Sequence, residues 1–281
     1  MSRLDVKKTH KLYINGEFPR SESGRTFPSL DADGNVIARM AEASRKDLRD
    51  AVRAARNAQE KWAGRSGYNR GQILYRVAEM VQDRADVFGD DLRSHGVSKR
   101  IAEREVAASI DRLVWYAGWC DKFAQVYGNL NPVAGPFFNI SSPEPTGVVG
   151  IVAPSDPPLL GLVSRLAPVL VPGNTAVVIV SENAATSGVT FAEALATSDV
   201  PAGVVNILTG HAAELTPWLA SHMDVNAVDL TGASDELVTA AETAAADNVK
   251  RVIRSATVDT QSPLLIAAYT ETKTVWHPKG L

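Results

Sequence analysis

The sequence is poor in the side chains that form disulfides and metal centres. Its 281 residues include one cysteine, Cys120, and five histidines without close ligand spacing. One cysteine excludes an intrachain disulfide and an all-cysteine metal site, because each needs at least two thiols. The scattered histidines do not have the spacing typical of a zinc site. We therefore expect no metal site in this chain.

Long apolar runs and blocks of like charge are also missing. No stretch approaches the roughly 20 apolar residues needed to cross a bilayer, and the opening MSRLDVKKTHKLY has no apolar core of signal-peptide length. The formal net charge is -3, with acidic and basic residues interleaved, a pattern that does not favour nucleic acid binding. These features predict a cytoplasmic protein that binds neither membranes nor nucleic acid.

What the sequence does contain is a regular alternation of strands and helices after Gly147. The segments GVVGIVAP, NTAVVIV, VVNILTG and NAVDLTG have the short apolar runs of buried strands, and a helical pattern follows each of them. This alternation predicts an α/β fold with a doubly wound parallel sheet covered on both faces. Ligands of such a sheet lie outside the carboxyl ends of its strands. Neither G-x-G-x-x-G nor a P-loop motif is present to identify the ligand.

The first half of the chain reads as short strands followed by helices. Residues 11–43 are rich in turn formers and β-branched residues, which is typical of strands joined by tight turns. Ser44, with Asp47 three residues later, predicts the N-cap of a first helix. The apolar spacing predicts a second helix from about Asn69 through Phe88 and a third over Ile101–Val126.

Several segments together carry a resemblance to a known family. The stretches KLYINGEF, YAGWCDK, EPTGVVGIVAP, RLAPVLVPGNTAVV and VPAGVVNILTG, followed by LTG at Leu230–Gly232, resemble the aldehyde dehydrogenase superfamily in order and approximate spacing. The closing YTETKTV resembles the strand that ends family members, where it follows the catalytic domain. The resemblance therefore implies that the catalytic domain is absent between Ser262 and Thr270. In this respect the chain resembles a free-standing version of the degenerate second domain of two-domain aldehyde dehydrogenases.

The resemblance also divides the chain into four parts. Residues 1–129 would form the N-terminal strands and helices of the coenzyme-type domain, residues 130–146 an oligomerisation hairpin, residues 147–266 the Rossmann-like α/β part, and residues 267–281 a C-terminal oligomerisation strand. The expected architecture is thus an α/β domain with a helical N-terminal part and a small β arm.

The catalytic groups of the family are missing or altered. Aldehyde oxidation in the family uses a cysteine nucleophile, an asparagine as oxyanion donor and a glutamate base. Cys120 precedes the coenzyme-type part and lies on the apolar stripe of a helix, so we expect a buried packing thiol. The oxyanion turn ends in Asp156, which we expect to cap the next helix instead. The base position has no glutamate, and the spacing of Asp259 does not recommend it. The resemblance implies no catalytic residue in this chain.

Cofactor residues are partly retained. By resemblance, Glu182 would hold an adenosine ribose, and Thr231 and Gly232 would lie near a pyrophosphate. The lysine expected before the glutamate is Ile179, and Ala233 stands where a serine is usual. We expect Glu182, Thr231 and Gly232 to form only a degenerate site, retained for turn geometry and capping. NAD and NADP are the candidate cofactors, and neither is expected to bind tightly.

The β arm implies a partner. The hairpin over Leu130–Glu144 and the alternating strand from Tyr269 resemble the arm that pairs with a neighbouring subunit in the family. A terminal strand has unpaired backbone groups unless another strand receives it. We expect a full-length catalytic aldehyde dehydrogenase to be that partner, with this chain as a non-catalytic subunit. A homo-oligomer, or an arm folded back on its own sheet, is the alternative.

Two other functions stay open on the sequence alone. The chain could be a regulatory module that binds a nucleotide, or an oxidoreductase that is active only through a composite site in a hetero-oligomer. Binding of NAD or NADP would favour the regulatory module. Dependence of a complex's activity on Asp156 or Glu182 would favour the composite enzyme.

Overall fold

The computed structural model describes residues 6–255, 257 and 261–280. Its N-terminal region is a small sheet of three strands, β1 (Thr9–His10), β2 (Thr26–Leu30) and β3 (Val36–Ala41). Strands β2 and β3 pair antiparallel, and β1 runs parallel to β3. The turn between β2 and β3 includes Gly34 at φ 83°, a conformation that glycine adopts without steric cost. The prediction of short strands and tight turns is confirmed.

Five helices follow this small sheet. They are α1 (Arg45–Ala63), α2 (Gly67–Asp83), α3 (Ala85–Ser94), α4 (Lys99–Ala117) and α5 (Phe123–Tyr127). The predicted start of α1 is confirmed by a capping box in which the Ser44 side chain accepts from the Asp47 amide and the Asp47 side chain accepts from the Ser44 amide. None of the helices in the described ranges is long and apolar enough to span a membrane.

Two of the predicted helices are each divided in the structure. The segment from Asn69 to Phe88 belongs to α2 and α3, because Arg84 leaves the helical conformation at φ -105° and ψ 16°. The segment Ile101–Val126 is interrupted after Ala117, where a run of turns separates α4 from α5. In both cases the apolar spacing continues across the break, so periodicity alone could not place it.

The second half of the chain completes the arm and the α/β part. The elements in order are β4 (Asn129–Asn131), β5 (Phe137–Pro145), β6 (Val148–Val152), α6 (Pro158–Leu170), β7 (Thr175–Ile179), α7 (Ala185–Ala196), β8 (Val205–Leu208), α8 (Ala212–Ser221), β9 (Ala227–Asp229), α9 (Asp235–Ala246), β10 (Arg251–Ile253), α10 (Pro263–Ala267) and β11 (Thr270–Pro278). A short 3-10 helix, Glu182–Ala184, lies between β7 and α7.

The central sheet is parallel and has helices on both faces. Its strand order is β10-β9-β6-β7-β8, so β7 and β8 extend the sheet on one side of β6, and β9 and β10 extend it on the other. Successive residues of β6 enter opposite cores: Val149 and Ile151 pack with α6 and α7 residues, whereas Val148 and Val152 pack with α1 and α8 residues. The predicted doubly wound α/β fold is confirmed.

The fifth strand of this sheet, β10, was not predicted. Its three residues are Arg251, Val252 and Ile253, and only Ile253 is buried. A strand this short at the edge of a sheet carries too few apolar positions to show a pattern. By resemblance, the general base of the family is expected in the stretch that begins at Val252, and Asp259 of this stretch lies outside the described residues.

Strands β4, β5 and β11 form a separate three-stranded antiparallel sheet, which we call the β arm. Strand β11 pairs with β5 along its nine residues, from Thr270 opposite Pro145 to Pro278 opposite Phe137. The arm therefore supplies β5 as the strand that receives one edge of the terminal strand. The other edge of β11 is the outer edge of the arm.

A buried polar network joins the β arm to the α/β part. Tyr269, which directly precedes β11, is fully buried, and its hydroxyl contacts both Asp229 of β9 and Arg165 of α6. The Asn174 amide nitrogen donates to the Tyr269 carbonyl at 2.9 Å, and the Asn174 side-chain oxygen accepts from the Gly147 amide at 2.7 Å. Because these bonds lie where the arm begins, they fix its orientation relative to the central sheet.

Candidate functional site

A crevice of about 310 Å³ lies at the carboxyl ends of β6 and β7, where a parallel sheet of this type binds ligands. Its lining consists of Val152, Ala153, Ser155, Ile179, Val180, Ser181, Glu182, Asn183, Ala212 and Gly232. A second cavity of about 560 Å³ shares Ser155, Glu182 and Asn183 with it and extends toward β2. The two cavities together form one open cleft between the central sheet and the N-terminal sheet.

Glu182 lies in both cavities, and its carboxylate has a partner within the chain. Its Oε2 is 2.8 Å from Nδ1 of His211, which precedes α8. Both side chains are 43% exposed. The carboxylate predicted to hold a ribose therefore already has a contact across the cleft, and a ligand hydroxyl would have to compete with the imidazole.

Thr231 forms its side-chain hydrogen bond with the last residue of β9 and does not face the crevice. Its amide and its hydroxyl both donate to Oδ1 of Asp229, at 2.9 and 2.5 Å. Thr231 is not among the lining residues of the crevice. Its side chain therefore closes the turn after β9, and the structure does not bring it together with Glu182.

Gly232 lines the crevice because the backbone approaches another loop closely there. Its amide donates to the Val152 carbonyl at 2.9 Å. A Cβ at this position would lie 2.2 Å from the Ala153 carbonyl oxygen, and a side chain cannot occupy that space. The close packing of the loops after β6 and β9 is sufficient to explain a glycine at this position, and no ligand is needed for the explanation.

This packing gives a direct prediction for stability. Gly232→Ala places a methyl group against backbone and should lower the free energy of unfolding by about 1–3 kcal/mol, the usual cost of overpacking. Urea denaturation measures the change. Gly89→Ala is the matched control, because it lies inside α3 with no atom within 4 Å of the added Cβ, and it should be neutral or stabilising by up to about 1 kcal/mol. Equal stability of Gly232→Ala and the wild type would contradict the close approach.

The cleft is unfavourable for a phosphate. The residues that line its two cavities include Asp31, Asp156 and Glu182, and among the described lining residues none is lysine or arginine. The neighbouring helix α9 begins with Asp235 and Glu236, whose charges would repel a dianionic ligand at that helix N-terminus. A pyrophosphate would thus meet carboxylates, and no lysine or arginine among the lining residues that the structure describes.

The N-terminus of α6 is capped by a carboxylate from another helix of the chain. Oε1 of Glu105, a buried residue of α4, accepts from the Leu159 amide at 2.7 Å and from the Leu160 amide at 3.2 Å. Burial raises the pKa of Glu105, and its hydrogen bonds to these amides partly oppose that shift. The amides that could otherwise meet an anion are therefore already satisfied.

The predicted capping role of Asp156 is wrong. Helix α6 begins at Pro158 with Pro157 as its N-cap residue, which has no side-chain cap bond. Asp156 is instead exposed and lines the larger cavity. Glu105 performs the capping from a position 54 residues before Leu159, so no local sequence pattern could have indicated it.

Cys120 is a packing residue. The side chain is buried, its Sγ lies 3.6 Å from the Tyr116 carbonyl oxygen, and burial raises the pKa of the thiol to about 12. Since the thiolate is the nucleophilic form, this cysteine is unreactive at neutral pH. The described residues also contain no group of three or more histidine, cysteine, aspartate or glutamate side chains placed to hold a metal ion.

Comparison with known sequences gives one family. The aldehyde dehydrogenase family matches over residues 19–274. Cytosolic 10-formyltetrahydrofolate dehydrogenase from Xenopus tropicalis is 32% identical over 275 residues, which cover 95% of this chain and 30% of that protein. Retinal dehydrogenase 2 from Gallus gallus is 35% identical over 255 residues, which cover 89% of this chain and 48% of that protein. This chain therefore spans less than half the length of either relative.

Solved structures agree with the sequence comparison. HpcC from Thermus thermophilus superposes with a TM-score of 0.83 at 31% identity, covering 88% of this chain and 48% of that structure. The NAD+ complex of aldehyde dehydrogenase from Bacillus cereus superposes with a TM-score of 0.82 at 26% identity, covering 88% of this chain and 50% of that structure. On this evidence of sequence and fold, the chain belongs to the aldehyde dehydrogenase family.

Proposed function

We propose that this chain is a non-catalytic aldehyde dehydrogenase-like subunit that assembles with, and supports, a catalytic NAD(P)-dependent aldehyde dehydrogenase in the cytoplasm. The observation that carries the proposal is the free outer edge of β11. This strand has nine residues, and the eight from Glu271 to Pro278 are exposed. Such an edge offers a row of unpaired N–H and C=O groups, which favours addition of a strand from another chain.

An apolar row on one face of the β arm supports the same proposal. Leu130 of β4 is opposite Ile140 of β5, and Ile140 is opposite Val275 of β11. The three side chains are 66%, 47% and 49% exposed, and Phe138 beside them is 42% exposed. An exposed apolar row that crosses every strand of a sheet is typical of a protein interaction surface. A partner that pairs with the β11 edge would extend this sheet and could cover the row.

The connection between the α/β part and the arm supports a non-catalytic role. Between Ser262 and Thr270 the chain forms only the five-residue helix α10 before β11 begins. By family resemblance, this is where the domain with the cysteine nucleophile would be inserted. The thiol of Cys120 is buried and protonated, and Asp156 at the oxyanion turn would repel a developing oxyanion. We infer that the catalytic groups come from the partner.

A second function is favoured by the crevice itself. The family relative from Bacillus cereus was solved with NAD+, and the present chain keeps Glu182 and Gly232 in a cavity at the corresponding end of its sheet. A nucleotide-binding regulatory module would use that cavity. The acidic lining and the His211 contact to Glu182 oppose tight binding of NAD or NADP, so we propose no tightly bound cofactor.

Mass spectrometry of the intact complex, isolated from native cells under non-denaturing conditions, tests the proposal. We expect the 30.0 kDa chain together with a longer aldehyde dehydrogenase chain. A complex of this chain alone would support the homo-oligomer instead. A single species with the mass and hydrodynamic size of one chain would contradict assembly altogether. Calorimetric titration with NAD and NADP separates the regulatory module, which requires micromolar binding.

A further inference from the structure

A groove of about 730 Å³ lies between the first turns of α1 and the second half of α8. It shares no lining residue with the crevice or with the cavity next to it. Its volume is in the range of sites that hold small molecules, about 300–1,000 Å³. The groove is therefore a separate candidate binding site.

Apolar side chains form part of this groove. Leu48 is buried at 1% exposure, whereas Trp218 and Met223 are 39% and 71% exposed and also line the groove. A tryptophan ring and a methionine side chain in the same groove offer a flat, adaptable apolar surface. Such a surface suits a planar ring system.

One cation in the groove has no acidic partner. The carboxylate of Glu22 pairs with Lys46 at 3.3 Å, and that of Glu214 pairs with Arg25 at 3.3 Å. Arg45 forms no ion pair or hydrogen bond with any residue that the structure describes. Its guanidinium carbon instead lies 3.8 Å from the centroid of the Trp218 ring. The two carboxylates of the groove thus each pair with a cation of the chain, whereas Arg45 pairs with no described carboxylate.

The position of Arg45 in its helix is unfavourable for stability. Arg45 is the first residue of α1, where the positive end of the helix dipole favours acidic side chains. The Ser44 side chain accepts from the Lys46 and Asp47 amides at 3.2 and 3.3 Å, so these amides are already engaged. An anion in the groove would therefore meet the guanidinium of Arg45, with the helix dipole adding to the attraction.

We propose that this groove binds a small molecule that consists of a planar apolar ring system and a carboxylate. The carboxylate accepts two N–H bonds from the guanidinium of Arg45, a geometry that arginine matches and lysine does not. The ring system packs against Trp218, Leu48 and Met223. The site shares no lining residue with the crevice or with the cavity next to it.

Calorimetric titration with 2-naphthoate as the probe, and 2-naphthamide as its neutral match, tests the proposal. We expect saturable 1:1 binding of 2-naphthoate, and binding of 2-naphthamide that is weaker by about tenfold or more, the effect of one charge-assisted interaction. Arg45→Gln should weaken 2-naphthoate by a similar factor and leave the two probes with equal affinity. Trp218→Leu should weaken both probes.

Arg49→Gln is the matched control, since Arg49 lines the same groove but pairs with Asp50 at 3.3 Å. It should bind 2-naphthoate like the wild type. Because Arg45 is exposed and Trp218 is partly exposed, both variants should melt close to the wild type, and a melting curve checks this. The proposal is overturned if 2-naphthoate shows no saturable binding, if it binds no better than 2-naphthamide, or if Arg45→Gln binds it as tightly as Arg49→Gln.

Discussion

Replacing Asp229 by alanine is expected to lower the free energy of unfolding by about 3–5 kcal/mol, the range for removing one partner of a buried ion pair. Asp229 and Arg165 are both fully buried, and Arg165 Nε donates to Asp229 Oδ2 at 2.7 Å. Burial raises the pKa of Tyr269, so its hydroxyl stays protonated and donates to the same carboxylate. Without Asp229, the guanidinium is left as an uncompensated buried charge. Chemical denaturation monitored by circular dichroism measures the loss.

Two comparisons show whether the buried charge is the cause. Asp224→Ala removes an exposed aspartate and should change stability by no more than about 0.5 kcal/mol. The triple variant Arg165→Met, Asp229→Leu and Tyr269→Phe removes the charges together and should be more stable than Asp229→Ala, because apolar packing can replace a buried ionic network. If Asp229→Ala unfolds like the wild type, the network does not hold the arm in place.

Ile140→Glu and Val275→Glu are expected to weaken assembly with the partner while leaving the chain folded. Each side chain is about half exposed in the isolated chain, at 47% and 49%, so a charge there remains solvated. In the complex the same charge would lie in the apolar row of the β arm, and the loss should be about 2 kcal/mol or more, roughly thirtyfold in Kd. Co-purification or surface plasmon resonance with the partner measures it.

The control for these variants is Val87→Glu, which places the same charge at a 54% exposed valine of α3, outside the β arm. We expect it to assemble like the wild type. Assembly that is unchanged in both arm variants would mean that the apolar row is not the interface. Equal losses in all three variants would indicate a general effect of charge on the chain.

The sequence was sufficient to predict features that depend on neighbouring residues. The alternation of Val148 to Val152 between two cores follows from strand periodicity. The capping box of Ser44 and Asp47 follows from a spacing of three residues. The order of strands and helices was enough to predict the doubly wound sheet.

Features that depend on distant residues could not be predicted. Glu105 caps α6 from 54 residues away, and Tyr269 meets Arg165 across 104 residues. Nothing near Asp229 in the sequence indicates that it binds a buried arginine. The candidate site was predictable only in part for the same reason. Glu182 could be proposed from its motif, whereas its contact with His211, 29 residues later, is visible only in the folded chain.

The stability of the chain and its proposed assembly are linked through the start of β11. The network of Arg165, Asp229 and Tyr269 holds the chain immediately before the strand that we propose as the interaction edge. A rigidly held edge loses less conformational freedom on binding than a mobile tail. Loss of this network should therefore weaken assembly as well as stability.

The most direct test of the central claim is an activity assay on the purified chain alone. The chain is incubated with NAD or NADP and a panel of aldehydes, and reduced coenzyme is followed by its absorbance. We predict no reduction above the protein-free rate, and activity only when the catalytic partner is added. Aldehyde-dependent reduction of NAD by the isolated chain would contradict the account, because it would require a nucleophile and a coenzyme site that we do not assign to it.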